Sequence, residues 1–136
     1  MLDPSLLQAY RQTNYHFGDT LLNIDKSCSK AASLLQPFIP AGGLFITAWN
    51  PLGEKLTLEA NQKANQKLKA ELLTQGLNVI DGYGVSKDGK WREDSFFTYP
   101  VDKEASIKLC CDFSQNAVVY ISSDGFPELL LHLKFS

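Results

Sequence analysis

Trp91, Glu93 and Ser95 alternate along a short polar and aromatic run and hold the side chains best suited to acid–base chemistry in this sequence. If the run is a β-strand, its period of two turns all three side chains to one face. A carboxylate between aromatic rings can be a general base whose pKa is raised by burial, or an acceptor of hydrogen bonds from backbone and amide groups. A strand glutamate that is simply solvated is the commoner case. Glu93 is the one candidate catalytic residue.

The residues from Thr47 to Pro51 directly follow the apolar run from Leu44 to Ile46. Many α/β proteins build a site where a strand leaves the core in this way. Trp49 offers a ring face on which a ligand can stack, and Asn50 offers an amide that can form hydrogen bonds with the polar edge of that ligand. The segment therefore predicts a polar ligand site at the end of the strand.

The predicted helix from Thr57 to Gln75 carries two amides on the face expected to meet the core. At about 100° per residue, one stripe of this helix contains Leu58, Asn61, Asn65, Leu68 and Leu72. An unpaired buried amide costs roughly 1 to 3 kcal/mol, so both asparagines need partners. These partners are either a ligand, in a site shared with Asn50, or groups of the protein itself.

Several other chemistries have no signature in the sequence. There is no GxxxxGK[ST] loop and no GxGxxG motif between a strand and a helix, which disfavours the usual nucleotide hydrolysis. Cys110 and Cys111 have no second metal-binding pair, and His16 and His132 are distant in sequence, so no metal site is predicted. With Cys28 the cysteines are odd in number, which predicts reduced, unreactive thiols. We expect no cofactor.

Composition predicts a soluble globular domain. The chain has 136 residues, 44% hydrophobic and 21% charged, with a formal net charge of -2. Its 13 basic residues are scattered, so the electrostatic footprint of nucleic-acid binding is missing. No signal segment and no apolar stretch of roughly 18 residues occurs, which predicts a cytoplasmic location and no membrane contact. We expect a single domain over residues 1–136.

Capping residues, prolines and turn residues predict the elements that must position these side chains. Four helices are expected to begin near Asp3, Ser27, Thr57 and Asp102 and to end near Gln12, Leu35, Gln75 and Ser114. Strands are expected at residues 14–17, 20–24, 44–46, 77–85, 91–99, 117–122 and 128–135.

Residues 44–85 form one predicted strand-helix-strand crossover, which implies a parallel strand pair. The predicted fold class is therefore α+β, with helices packed on a mixed sheet of five to seven strands.

A set of short motifs resembles one known family. The run Phe-Ile-Thr-Ala-Trp-Asn-Pro at 45–51 is followed by Asn61 and Asn65, by Trp-x-Glu-x-Ser at 91–95, and by Phe-x-Gln-Asn-Ala at 113–117. Between Tyr10 and Val118 the chain resembles the bacterial domain-of-unknown-function family numbered 3293. The resemblance implies a small, soluble single domain and no established activity. The family often has glycine where this chain has Ser114, and an acidic residue where it has Ala60.

Two hypotheses of different kinds follow. In the first, one pocket binds a small polar, nucleoside-like ligand, with amides at its edges, a tryptophan on its face and one acid–base group. The residues of this pocket are Trp49, Asn50, Asn61, Asn65, Trp91, Glu93, Ser95 and Gln115. In the second, the same residues form a buried hydrogen-bond network, and the domain binds a protein partner through an edge strand such as 128–135.

Overall fold

Four helices and seven strands make up the computed structural model of the chain, which describes residues 2–135. The helices are α1 (Pro4–Gln12), α2 (Ser29–Leu35), α3 (Leu58–Thr74) and α4 (Lys103–Asp112). The strands are β1 (Asn14–Phe17), β2 (Thr20–Leu22), β3 (Gly42–Ile46), β4 (Asn78–Val85), β5 (Arg92–Val101), β6 (Ala117–Ile121) and β7 (Pro127–Leu131). The predicted α+β class is confirmed. No helix in residues 2–135 is long and apolar enough to cross a membrane.

All seven strands form one sheet in the order β2-β1-β4-β5-β3-β6-β7. Each neighbouring pair within the described chain is antiparallel, so the prediction of a mixed sheet with a parallel pair was wrong. β3 and β4 do run in the same direction, because each is antiparallel to β5, but β5 lies between them. A short turn joins β4 to β5, and closing this local hairpin costs little chain entropy. In this hairpin β5 pairs with the edge of β4 that β3 would need for a parallel pair.

One face of the sheet is covered by α2. Phe45 of β3 and Val119 of β6 point to this face, where they are buried together with Ala31 and Leu35 of the helix. Ala31 and Leu35 expose none of their surface to solvent. This apolar cluster forms the first of two cores.

The opposite face of the sheet is covered by α3 and α4. Leu44 and Val118, the chain neighbours of Phe45 and Val119, point to this side because side chains alternate along a strand. They pack with Leu68 and Leu72 of α3 and with Leu109 of α4. The molecule thus has three layers, with the sheet in the middle.

Local capping explains where three of the helices begin. The Asp3 carboxylate accepts a hydrogen bond from the Ser5 amide at 2.8 Å, and Pro4 occupies the first helical position. The Thr57 hydroxyl accepts from the Ala60 amide at 3.1 Å, and the Asp102 carboxylate accepts from the Ala105 amide at 2.8 Å. These three starts were predicted from the sequence and are confirmed.

Three local predictions were wrong. Ser27 does not cap α2; Cys28 occupies the cap position, where its amide donates to the Gly125 carbonyl at 2.8 Å. Leu58 is 63% exposed, because the buried stripe of α3 begins only at Asn61, one turn later. The last strand ends at Leu131 and not at residue 135, because Leu131 pairs with Ala117, the first residue of β6. Residues 133–135 form a single 3-10 turn.

Candidate functional site

The segment after β3 is a tight turn held from two sides. Asn50 adopts the left-handed conformation with φ of 43°, which asparagine tolerates better than most residues. Its carbonyl accepts a hydrogen bond from the Gly53 amide at 2.9 Å, and the Leu52 amide donates to the Ser114 carbonyl at 2.6 Å. The turn therefore fixes Trp49 and Asn50 beside the segment that follows α4.

Asn61 joins this turn to α3. Its side-chain Oδ1 accepts from the backbone amide of Asn50, and its Nδ2 donates to the Asn50 Oδ1, both at 2.8 Å. The same Asn50 oxygen also accepts from the Leu56 amide at 2.9 Å. Asn61 is only 2% exposed, and its polar atoms are all paired inside the protein.

Asn65 joins the start of the turn to β5. Its Oδ1 accepts from the Ala48 amide at 2.8 Å and from the Thr47 hydroxyl at 3.3 Å, while its Nδ2 donates to the Asp94 carbonyl at 2.9 Å. Asn50, Asn61 and Asn65 thus form one polar neighbourhood, as predicted. The contacts of Asn61 and Asn65 are those of a structural network.

The main cleft, our name for the largest depression that contains Glu93, has a volume of about 750 Å³. Its walls are α1, the turn after β3, the β4–β5 turn and the segment before β6. Five predicted site residues line it: Trp49, Asn50, Trp91, Glu93 and Gln115. Both tryptophans of the chain are therefore in one cleft. Asn61, Asn65 and Ser95 do not line it.

Glu93 is the half-buried carboxylate of the main cleft. Burial raises its pKa from 4.5 to about 8. Within residues 2–135 no group donates a hydrogen bond or forms an ion pair with this carboxylate, although its backbone carbonyl accepts from the Ser95 hydroxyl at 3.1 Å. Since no buried side-chain oxygen of the described chain lacks a partner, both carboxylate oxygens are reached by solvent. Glu93 thus faces the open space of the cleft.

Ser95 lies in β5, whereas Trp91 lies just before its first residue, and the two side chains have different surroundings. Ser95 is 3% exposed, and its hydroxyl is occupied by the Glu93 carbonyl, which leaves it unavailable to a ligand in the main cleft. Trp91 is 39% exposed and stands at the cleft wall. Of the three side chains predicted to converge, Trp91 and Glu93 therefore line the main cleft and Ser95 does not.

Gln115 has an orientation that its neighbours determine. Its Nε2 donates to two backbone carbonyls, those of Trp49 and Phe113, each at 3.3 Å. A carbonyl only accepts, so the amide nitrogen must lie on that side and Oε1 on the other. Ser114 precedes Gln115 with φ of 52°, a left-handed conformation that glycine adopts without strain. The resemblance to a family that often has glycine here agrees with this conformation.

Tyr10 and Asn116 also line the main cleft, and the sequence analysis did not place them there. Burial raises the pKa of Tyr10 to about 12, and the charge of Glu93 adds a smaller effect in the same direction. A hydrogen bond with the Asn116 side chain acts in the opposite direction. The Tyr15 hydroxyl donates to the Tyr10 carbonyl at 2.7 Å and so ties α1 to β1. No periodicity signal could have found Tyr10, because the position of α1 over β5 depends on contacts distant in sequence.

A second groove lies on the other side of the sheet and is lined by Asn65, Arg92 and Asp94, among others. The Arg92 guanidinium lies 3.8 Å from the centre of the Tyr83 ring, which in turn stacks on His16 at 4.7 Å. Ser95 lines this groove as well. The eight predicted site residues are thus divided among the main cleft, this groove and the network of asparagines.

The three cysteines are free thiols in the structure. Burial raises the pKa of Cys110 to about 12, which keeps it protonated and unreactive at neutral pH. Its thiol contacts the Gln115 carbonyl at 3.2 Å. No group of three His, Cys, Asp or Glu side chains in residues 2–135 is arranged to hold a metal ion.

Comparison with known proteins gives one match. The sequence model of the family described as "Protein of unknown function (DUF3293)" matches residues 46–118, which include the turn after β3, all of α3, β4, β5 and α4, and the start of β6. No curated protein and no solved structure matches the chain. The matched segment contains Trp49, Glu93 and Gln115, whereas α1 lies outside it. It covers more than half of the sequence, and the chain belongs to the DUF3293 family.

Proposed function

We propose that this domain binds a small, flat, polar ligand in the main cleft, with Glu93 as its main polar contact. The observation that carries the proposal is a half-buried carboxylate with no hydrogen-bond donor of the protein to satisfy it. Keeping such a group costs stability, and groups of this kind are concentrated at functional sites. A ligand that supplies the missing donor would relieve that cost.

The surroundings of Glu93 favour a ligand with a ring. Trp49 and Trp91 give the cleft two large aromatic surfaces, and Leu6 and Ala9 of α1 add apolar surface. Aromatic walls with a few convergent polar groups are the common composition of small-molecule sites. A nucleoside-like molecule has both the flat face and the polar edge that this composition suits.

Glu93 is also the one group here that suits acid–base chemistry. With a pKa near 8, it can give up or take a proton at neutral pH. Tyr10 and Cys110 have pKa values of about 12 and remain protonated there. A catalytic role in the cleft would therefore belong to Glu93.

A thermal-shift screen of a metabolite library tests the proposal. The Glu93→Gln variant keeps the shape of the side chain and removes its charge, and Glu104→Gln, an exposed acid on α4, is the matched control. We expect compounds that raise the melting temperature of the wild type and of Glu104→Gln, and that have a smaller effect on Glu93→Gln. The same compounds should change tryptophan fluorescence, since both tryptophans line the cleft.

Two results would count against ligand binding. One is a library without any compound that stabilises the wild type. The other is a set of compounds that stabilise Glu93→Gln as strongly as the wild type. Either result, together with capture of a protein partner that a substitution in β7 abolishes, would support the alternative of an interaction domain with an edge-strand interface.

A further inference from the structure

Two side chains of the main cleft, Gln115 and Glu93, present acceptor oxygens that no group of the described chain satisfies. The Nε2 of Gln115 is occupied by the carbonyls of Trp49 and Phe113, so its Oε1 is the polar atom left for a ligand. Gln115 is only 6% exposed, yet Oε1 has no partner in the described chain and is not among fully enclosed atoms. It must therefore border a cavity, either the main cleft or the adjoining space of about 40 Å³ that Gln115 and Glu93 also line.

Glu93 supplies the other acceptors. Both of its carboxylate oxygens are without donors in residues 2–135 and border the same two spaces. The cleft also holds donors, namely the indole nitrogens, the Tyr10 hydroxyl, the side-chain amides of Gln12, Asn50 and Asn116, and the exposed Lys87, but none of them donates to Glu93. Lys87 stands next to Asp88, so the rim carries one charge of each sign.

We infer that the ligand presents a flat edge of hydrogen-bond donors, as amidinium, guanidinium and amino-substituted nitrogen heterocycles do, to the Glu93 carboxylate and the Gln115 Oε1. This inference rests on the proposed function, since it names the ligand class of the same cleft. A planar donor edge matches a carboxylate in two parallel hydrogen bonds, the strongest geometry that this group offers. The two tryptophans favour the same class, because a delocalised cation is attracted to the face of an indole ring.

Ligands of this class should bind with an affinity that depends on pH, because their binding is linked to the ionisation of Glu93. A cationic donor edge binds the ionised form of Glu93, so affinity should rise as the pH rises towards the pKa of about 8 of this carboxyl. Above that pKa the free protein is already ionised at Glu93, and affinity should become constant. Three other ionisable groups around Glu93 do not change charge in this range. Tyr10 of α1 has a pKa of about 12. Burial raises the pKa of Tyr15 of β1, which lines the small adjoining cavity and not the main cleft. Asp88 has a lowered pKa and is ionised throughout.

Three probes of equal shape test the inference: benzamidinium, benzamide and benzoate, each titrated at millimolar concentration with tryptophan fluorescence as the readout. We expect benzamidinium to bind about tenfold more tightly than benzamide, because a charge-assisted pair replaces a neutral one, and benzoate not to bind. Benzamidinium affinity should increase between about pH 6 and about pH 8.5. That increase should be lost in Glu93→Gln and kept in Glu104→Gln.

Tighter binding of benzoate or benzamide than of benzamidinium would overturn the donor-edge inference and leave the proposed function standing, because the cleft would still bind a flat ligand. Binding of none of the three probes would also overturn it. A metabolite screen without any stabilising compound would overturn the proposed function itself. The two failures are therefore distinguishable.

Discussion

Glu93 determines how the stability of this domain should depend on pH. Its pKa is 4.5 in an unfolded chain and about 8 in the folded one, so between these values the folded state binds a proton that unfolding releases. The stability that this proton confers is fully present below about pH 4.5 and is lost as pH rises through about 8. The ionised carboxylate in the cleft is thus the less stable state.

We predict that the wild type loses on the order of 2 to 4 kcal/mol of unfolding free energy, through this group, between about pH 5 and about pH 8.5. Glu93→Gln should lack this loss and should equal or exceed the wild type in stability at the higher pH. Urea unfolding of both proteins at both pH values measures the difference. A variant clearly less stable than the wild type at high pH would mean that Glu93 anchors a structural network.

Asn65 is predicted to be a structural residue. Asn65→Ala leaves the Ala48 amide without its partner and removes one of two hydrogen bonds to the Asp94 carbonyl, which keeps the one from the Thr47 hydroxyl. The loss should cost about 1 to 3 kcal/mol. Gln66→Ala is the control, since this exposed amide is its neighbour on α3 and alanine favours helix. Equal urea midpoints for the two variants would remove Asn65 from the network.

At the scale of elements, the turn after α4 is conformationally strained. Ser114 holds φ of 52°, where a side chain costs roughly 1 kcal/mol and glycine costs nothing. Ser114→Gly should therefore raise the unfolding free energy by about 0.5 to 1 kcal/mol, and Ser114→Ala should not raise it. Chemical denaturation of both variants gives the comparison. A destabilised glycine variant would show that the serine side chain has a role beyond the backbone.

Two strand glycines should respond differently to the same substitution. A Cβ added to Gly43 of β3 would collide with the ring of Phe97, which is fully buried and has no free space. A Cβ on Gly84 of β4 would meet Thr13 Cγ2 at 3.5 Å and the Tyr15 ring at 3.7 Å, both ordinary contact distances. We predict a loss of about 1 to 3 kcal/mol for Gly43→Ala and a change within about 1 kcal/mol for Gly84→Ala. Thermal unfolding distinguishes the two, and equal melting temperatures would contradict the packing described for β3.

The elements themselves could be predicted wherever the deciding interaction is local. The Thr57 cap is three residues from the amide that it accepts from, and Gly76, with φ of 78°, stops α3 by its own conformation. The Ser27 cap failed because the start of α2 depends on Gly125, almost a hundred residues further along the chain. Contacts of that separation leave no pattern in a single sequence.

In the whole molecule, contacts distant in sequence decide which of the predicted site residues line the main cleft. Asn65 ties both the 46–51 turn and β5 to α3. The crossover pattern implied the contact between the turn and α3, but not the contact between β5 and α3. Tyr10 and Asn116 were not foreseen, because the docking of α1 and of the segment before β6 is decided by tertiary packing. Sheet order was unpredictable for a similar reason, since β5 pairs with two strands at once.

The weak attachment of α1 has a consequence for dynamics. None of residues 4–12 is fully buried, although Tyr10 is half-buried, and the Tyr15 hydroxyl ties the helix to β1 by its bond to the Tyr10 carbonyl. Such a segment opens at a far lower free energy than the whole domain. We predict that amide hydrogens of α1 exchange with solvent much faster than those at the buried turns of α3 around Leu68, as measured by mass spectrometry.

Because α1 is one wall of the main cleft, an occupied cleft should hold this helix down. Ligand that stabilises the protein should then slow exchange in residues 4–12 more than in α3, and slowing confined to other segments would place the ligand elsewhere. Hydrogen exchange in α1 would then report whether the cleft is occupied, even when the identity of the ligand is unknown.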